Sequence, residues 1–100
     1  MKRSRILAAG IAVSMMTMAL APQAAEVERG AVLTTSCFAC HSIDTTGNMP
    51  NLVGYPRDLL VSQMQAFKDG SRPGTIMNRL AKGYSDEEIV LIADHFATIQ

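Results

Sequence analysis

The run Cys37-Phe38-Ala39-Cys40-His41 constrains this 100-residue chain more than any other feature. A Cys-x-x-Cys-His sequence is the attachment signature of covalently bound haem. Two thiols add across the vinyl groups of one haem, and the next residue offers an imidazole to the iron. The spacing follows from that chemistry. On one helical turn, residues three apart share a face, so both sulfurs reach one edge of the porphyrin. His41 follows directly and can swing under the metal. A haem held in this way performs the chemistry, while the protein sets its potential and its access.

Other uses of two cysteines fit less well. A thioredoxin-type pair needs a strand–helix context, and no strand pattern precedes Cys37. A zinc site wants two further ligands at fixed spacing. His95 is the only other histidine, and there is no third cysteine. A disulfide between Cys37 and Cys40 would close a very short loop.

The chain begins with a basic cluster, Lys2, Arg3 and Arg5, followed by an uncharged, apolar stretch from Ile6 to Leu20 and then small residues up to Ala25. That is the pattern of a secretory signal peptide. The apolar run is shorter than the ~20 residues of a spanning helix, which sets cleavage against an uncleaved anchor. The cut is expected between Ala21 and Ala25, which gives a cleaved leader over residues 1–25 and a single domain over residues 26–100. Covalent haem attachment takes place outside the cytoplasm, so an exported protein is expected, in the periplasm or an equivalent extracytoplasmic space.

The whole chain carries nine basic and nine acidic residues. Three of the basic residues and none of the acidic ones lie in the leader. The remainder therefore has six basic against nine acidic residues, a net charge of −3. No basic stripe of the kind that binds nucleic acid is present. A domain this short rarely buries enough apolar surface alone and needs a staple. A covalently held haem is such a staple, because its flat apolar face becomes core. The apo form is expected to be poorly folded.

Hydrophobic spacing predicts an all-α chain of three to four helices wrapped around the haem. A first helix is expected from Glu28 to about Cys40, with Thr34, Thr35 and Ser36 as indifferent helix formers near a tight or irregular end. Ser42 to Gly54 reads as a loop, rich in Asp, Thr, Gly, Asn and Pro. A second helix is expected over Asp58–Lys68, with Asp58 able to cap it and Gly70 ending it. Its Leu60, Met64 and Phe67 form one apolar stripe. Thr75 to Ala81 can hold a short helical turn. Ser85 and Glu88 make a capping box for the last helix, whose apolar face is Ile89, Ile92, Ala93 and Phe96.

With these elements in place, the chain resembles the class I cytochromes c. That family has an N-terminal helix ending in the haem motif, a C-terminal helix crossing it, and a late methionine ligand. Gly30 and Phe96 match the family's glycine and aromatic positions at the helix crossing. Pro50-Asn51-Leu52-Val53-Gly54 looks like the segment whose proline carbonyl accepts a hydrogen bond from the ligating histidine, so the resemblance implies that Pro50 holds His41. A narrower likeness appears in Phe67-Lys68-x-Gly70 and in the stretch from Thr75 to Ser85. It is similar to the haem domains of the cytochrome subunit of flavocytochrome c sulfide dehydrogenase, and to cytochromes of the c4 and c5 type. One haem motif permits one haem c, whereas some of those subunits carry two.

Three methionines follow the leader. Met64 lies on the apolar stripe of the second helix, where packing is the simpler role. Met49 directly precedes Pro50, on the segment expected at the histidine side. Met77 sits in a loop bounded by glycine and proline, 36 residues after His41, and matches the family's ligand position. His41 and Met77 are therefore the expected iron ligands. His95 sits late on a helix between core residues and reads as an edge histidine. Tyr55 and Tyr84 either reach the haem propionates or fill the haem wall, and both remain open. Arg57, Arg79 and Lys82 pair with propionates, form a docking surface or are simply solvated.

The resemblance implies single-electron transfer. The expected setting is the electron-accepting cytochrome subunit of a flavocytochrome c sulfide dehydrogenase, with an FAD-containing subunit as partner. The alternatives are a free carrier serving a terminal oxidase or reductase, and a haem sensor or peroxidase with an open iron position.

Overall fold

The computed structural model describes residues 21–42, 44 and 49–100. The basic and apolar parts of the expected leader, and the turn residues Thr45, Thr46, Gly47 and Asn48, lie outside the described residues. Four α-helices are present: α1 (Ala21–Thr34), α2 (Arg57–Asp69), α3 (Met77–Ala81) and α4 (Asp86–Thr98). A 3-10 helix, Cys37–Ala39, follows α1. No strand occurs among the described residues. No helix among them is long and apolar enough to cross a membrane.

α4 is the centre of the packing, lying against both α1 and α2, while α3 packs on α2. The core is Leu60, Met64, Ala81, Ile89, Ile92, Ala93 and Phe96. These are the expected α4 stripe and, from α2, Leu60 and Met64, joined by one residue of α3; Phe67, the third residue of the expected α2 stripe, is partly buried and packs against this core. Burying side chains the size of Phe96 or Ile89 is worth roughly 1.5–3 kcal/mol each. At the α1–α4 crossing, a Cβ on Gly30 would stand 2.8 Å from the Leu91 carbonyl oxygen. Only glycine lets the two backbones approach this closely. The Phe38 ring then packs on Phe96, with ring centres 5.3 Å apart.

α4 begins as expected. Ser85 Oγ accepts from the Glu88 amide at 3.1 Å, and the Glu88 carboxylate accepts from the Ser85 amide at 3.0 Å. Gly70 ends α2 with φ +84°, the left-handed conformation that favours glycine. Two expectations need correction. The residue that caps α2 is Pro56, which makes no side-chain bond to the helix, and the Asp58 carboxylate is taken by Arg57 at 2.8 Å. In the first turn, Asp58 still sits at the favourable end of the helix dipole.

The first helix also differs at both ends. It starts at Ala21 and stops at Thr34. Ala21, Ala24 and Ala25 are the best helix formers, and a proline in the first turn loses no helical hydrogen bond. At the other end, the Thr34 and Thr35 hydroxyls both donate to the Ala31 carbonyl, at 2.9 and 3.3 Å. Such bonds compete with the helical ladder. The chain tightens accordingly, with the Thr35 amide donating to Val32 three residues back.

Candidate haem site

The tightening delivers the cysteines. In a 3-10 helix, side chains three apart eclipse one another. The Cys40 amide donates to the Cys37 carbonyl at 3.2 Å, so Cys37 and Cys40 share one side of this short turn. The His41 amide donates to the same carbonyl at 2.8 Å. The two thiols are free rather than joined in a disulfide. Burial pushes the Cys37 thiol pKa up.

His41 Nδ1 lies 2.8 Å from the Pro50 carbonyl oxygen. A carbonyl only accepts, so Nδ1 carries the proton and Nε2 keeps its lone pair. A remote bond holds the Pro50 segment in turn. Leu52 to Tyr55 forms a turn closed by the Tyr55 amide on the Leu52 carbonyl at 3.0 Å, with Gly54 at φ +71°. A positive φ at this turn position calls for glycine. The Gly54 amide then donates to the Phe96 carbonyl at 2.8 Å and pins the turn to the end of α4.

These groups open on one cavity of about 760 Å³, within the roughly 300–1,000 Å³ usual for cofactor sites. Cys37, Cys40, His41, Pro50, Tyr55, Met77 and Tyr84 all line it. The apolar side chains of Leu52, Leu60, Phe67 and Ile92 line it as well. Met49 and Met64 also reach the wall, so all three methionines after residue 25 border the same space. His95 is not among the lining residues. Its ring stands beside Phe96, and its Cβ faces Gly30 at the helix crossing.

Both tyrosine hydroxyls are engaged within the protein. Tyr55 donates to Gln63 Oε1 at 3.0 Å, and Tyr84 lies 3.3 Å from Ser36 Oγ. Arg57 is paired with Asp94 and with Asp58, away from the cavity. Arg79 and Lys82 are exposed and also lie off the cavity wall. Gln63, Arg72, Ile76 and Leu80 line the cavity without having been singled out in the sequence. Helical spacing hints at Gln63, three residues after Leu60 on α2, but gives no signal for Arg72, Ile76 or Leu80.

The site accepts a haem on chemical grounds. A mostly apolar slot meets two free thiols on one turn and an imidazole whose Nε2 lone pair is available. A thioether borders the same space. Among the described residues no cluster of three or more histidine, cysteine or acidic side chains offers a rival metal site.

No family model matches the chain. It is 40% identical over 73 residues to the cytochrome subunit of sulfide dehydrogenase from Chlorobaculum tepidum, covering 71% of this chain and 66% of that protein. Cytochrome c-554(548) of Halomonas halodenitrificans is 38% identical over 69 residues, covering 63% of this chain and 83% of its own length. Cytochrome c-553 of Nitratidesulfovibrio vulgaris is 33% identical over 89 residues, covering 82% and 87%. Cytochromes c carry covalently bound haem c and transfer electrons through it. With likeness over most of two small cytochromes, and a helical fold closing around the Cys-x-x-Cys-His turn, the chain belongs to the class I c-type cytochromes.

Proposed function

We propose that this cytochrome is exported to the periplasm, loses residues 1–25, and works over residues 26–100 as a mono-haem electron acceptor. Its partner is an FAD-containing subunit, and together they form a sulfide dehydrogenase of the flavocytochrome c kind. Support for the partner comes from the likeness to the Chlorobaculum cytochrome subunit, of which the chain spans 66%. Support for export comes from the basic and apolar leader.

A bound haem supplies a one-electron couple. Cys37 and Cys40 would hold it through their sulfurs, and His41 and Met77 would serve the iron as ligands. The observation that carries this reading is the 2.8 Å contact between His41 Nδ1 and the Pro50 carbonyl, beside a cavity that Met77 also lines. The Pro50 bond fixes the imidazole plane and makes Nε2 a stronger donor. As a soft ligand, the Met77 thioether would raise the reduction potential. Apolar walls exclude water and act in the same direction. Two protein ligands on the iron would leave no open position for a substrate. This chain would then serve single-electron transfer, and the flavin partner would carry out the sulfur chemistry.

A free electron carrier serving an oxidase or reductase is the second reading, favoured by the likeness to two small cytochromes along most of their length. One measurement separates the two. The protein is purified gently from its native periplasm, and its oxidised and reduced absorption spectra are recorded. Haem bands with a co-purifying flavin signal are expected. Haem bands without flavin point to the free carrier, and absence of c-type bands overturns both readings.

A further inference from the structure

We infer that Asn78 is a positioning residue that holds Met77 at the haem cavity. The inference rests on the proposed ligation by His41 and Met77. Asn78 makes three hydrogen bonds from one side chain. Its Nδ2 donates to the Phe67 carbonyl at 2.9 Å and to the Arg72 carbonyl at 2.8 Å. Its Oδ1 accepts from the Gly74 amide at 2.6 Å. One amide thus joins the end of α2, the connecting loop and the first turn of α3.

The chemistry of the three partners selects the residue. Two are carbonyls, which only accept, and one is an amide N–H, which only donates. A short side chain with two donors and one acceptor is asparagine. Aspartate has nearly the same shape but would turn an acceptor toward two carbonyls. The Phe67 carbonyl lies in the last turn of α2, where helical partners run out. Asn78 supplies the missing donor.

Packing tightens the same loop. A Cβ on Gly74 would stand 2.9 Å from the Phe67 ring, so the loop lies directly on it. The Arg72 guanidinium sits over the same ring, 4.8 Å from its centre. By contrast, α3 has five residues and no side-chain cap at its start. A helix of that length has no stability of its own. Where α3 begins, and so where Met77 stands on the cavity wall, is therefore set by the bonds of its neighbour Asn78.

A loosened loop lets the thioether leave the iron more often. An external ligand then competes in proportion to the fraction of open sites. The test titrates ferric holoprotein with imidazole and follows the methionine-to-iron charge-transfer band. Asn78→Asp is expected to keep covalent haem and helical content, to weaken the band and to bind imidazole about tenfold more tightly, equivalent to ~1.4 kcal/mol. Ser85→Ala, which weakens the fold away from the loop, is expected to leave imidazole affinity unchanged. Met77→Ala is expected to abolish the band and to bind imidazole most tightly of all.

If Asn78→Asp matches wild type while Met77→Ala binds tightly, the positioning role is overturned and the ligation stands. If Met77→Ala keeps the band, the ligation is overturned, and the positioning role falls with it. A shift of the same size in Ser85→Ala also overturns the positioning role, since general weakening would then explain the effect. Should Asn78→Asp not accumulate with haem, Asn78→Ser is read by the same criteria.

Discussion

Two of the segments that line the cavity are held in different ways. Cys37 to His41 is organised by backbone: a 3-10 turn, two amides on the Cys37 carbonyl, and an imidazole on the Pro50 carbonyl. Arg72 to Met77 is closed largely through one side chain, the Asn78 amide, bonded to Phe67, Arg72 and Gly74. The backbone bonds of the 3-10 turn survive most substitutions, because every residue but proline supplies the same groups. A side-chain clamp depends on one residue type. The histidine side is therefore the robust half of the site and the methionine side the tunable half.

The strongest test of the first half removes its covalent anchors. Cys37→Ala combined with Cys40→Ala is expected to abolish haem retention, read by acid–acetone extraction. Haem that still resists extraction would overturn the attachment reading. For the second half, Met77→Ala is expected to keep haem but lower the reduction potential by more than ~120 mV, a hundredfold change in a one-electron equilibrium. An unchanged potential in a redox titration would remove Met77 from the iron.

Both halves rest on the α1–α4 crossing, so disturbing it is expected to lower stability without favouring either. Gly30→Ala forces a Cβ against the Leu91 carbonyl oxygen, and overpacking of this kind typically costs about 1–3 kcal/mol. Denaturant unfolding of the holoprotein checks this, and a large shift in potential would show that the crossing does act on one half selectively. A smaller effect is expected from Ser85→Ala, which removes half of the α4 capping box and costs ~1 kcal/mol.

The smallest effect concerns pH. The Ser85 amide, and after it the Arg29 guanidinium, holds the Glu88 carboxylate below its usual range. A carboxylate depressed in the folded state stabilises above the unfolded range, and that contribution is lost as pH falls through the folded value. Glu88→Gln is therefore expected to flatten the acid limb of a stability-against-pH curve and leave the neutral region little changed. An unaltered acid limb would show that other carboxylates govern it.

The fold was legible where the signal is periodic or contiguous. The stripes Leu60, Met64, Phe67 and Ile89, Ile92, Ala93, Phe96 mark two helices, because helical geometry repeats every 3.6 residues. The Ser85–Glu88 box marks a helix start, because both bonds lie within one turn. The ends of α1 were less legible. Whether the Thr34 and Thr35 hydroxyls bond to Ala31 or point to solvent is a local competition with no periodic trace.

By itself, the sequence determined the Cys-x-x-Cys-His run, the all-helical class and the three methionines that follow residue 25. Those follow from residue types at short range, where chain geometry leaves few choices. Only the tertiary structure decided how the cavity closes. It put Tyr84 beside Ser36, 48 residues away. It set the end of the Pro50 turn on Phe96, and it ran the loop before Met77 through Asn78 to Phe67, 11 residues back. Such contacts depend on how packed helices aim their ends, and single polar side chains that join them leave no pattern in the chain.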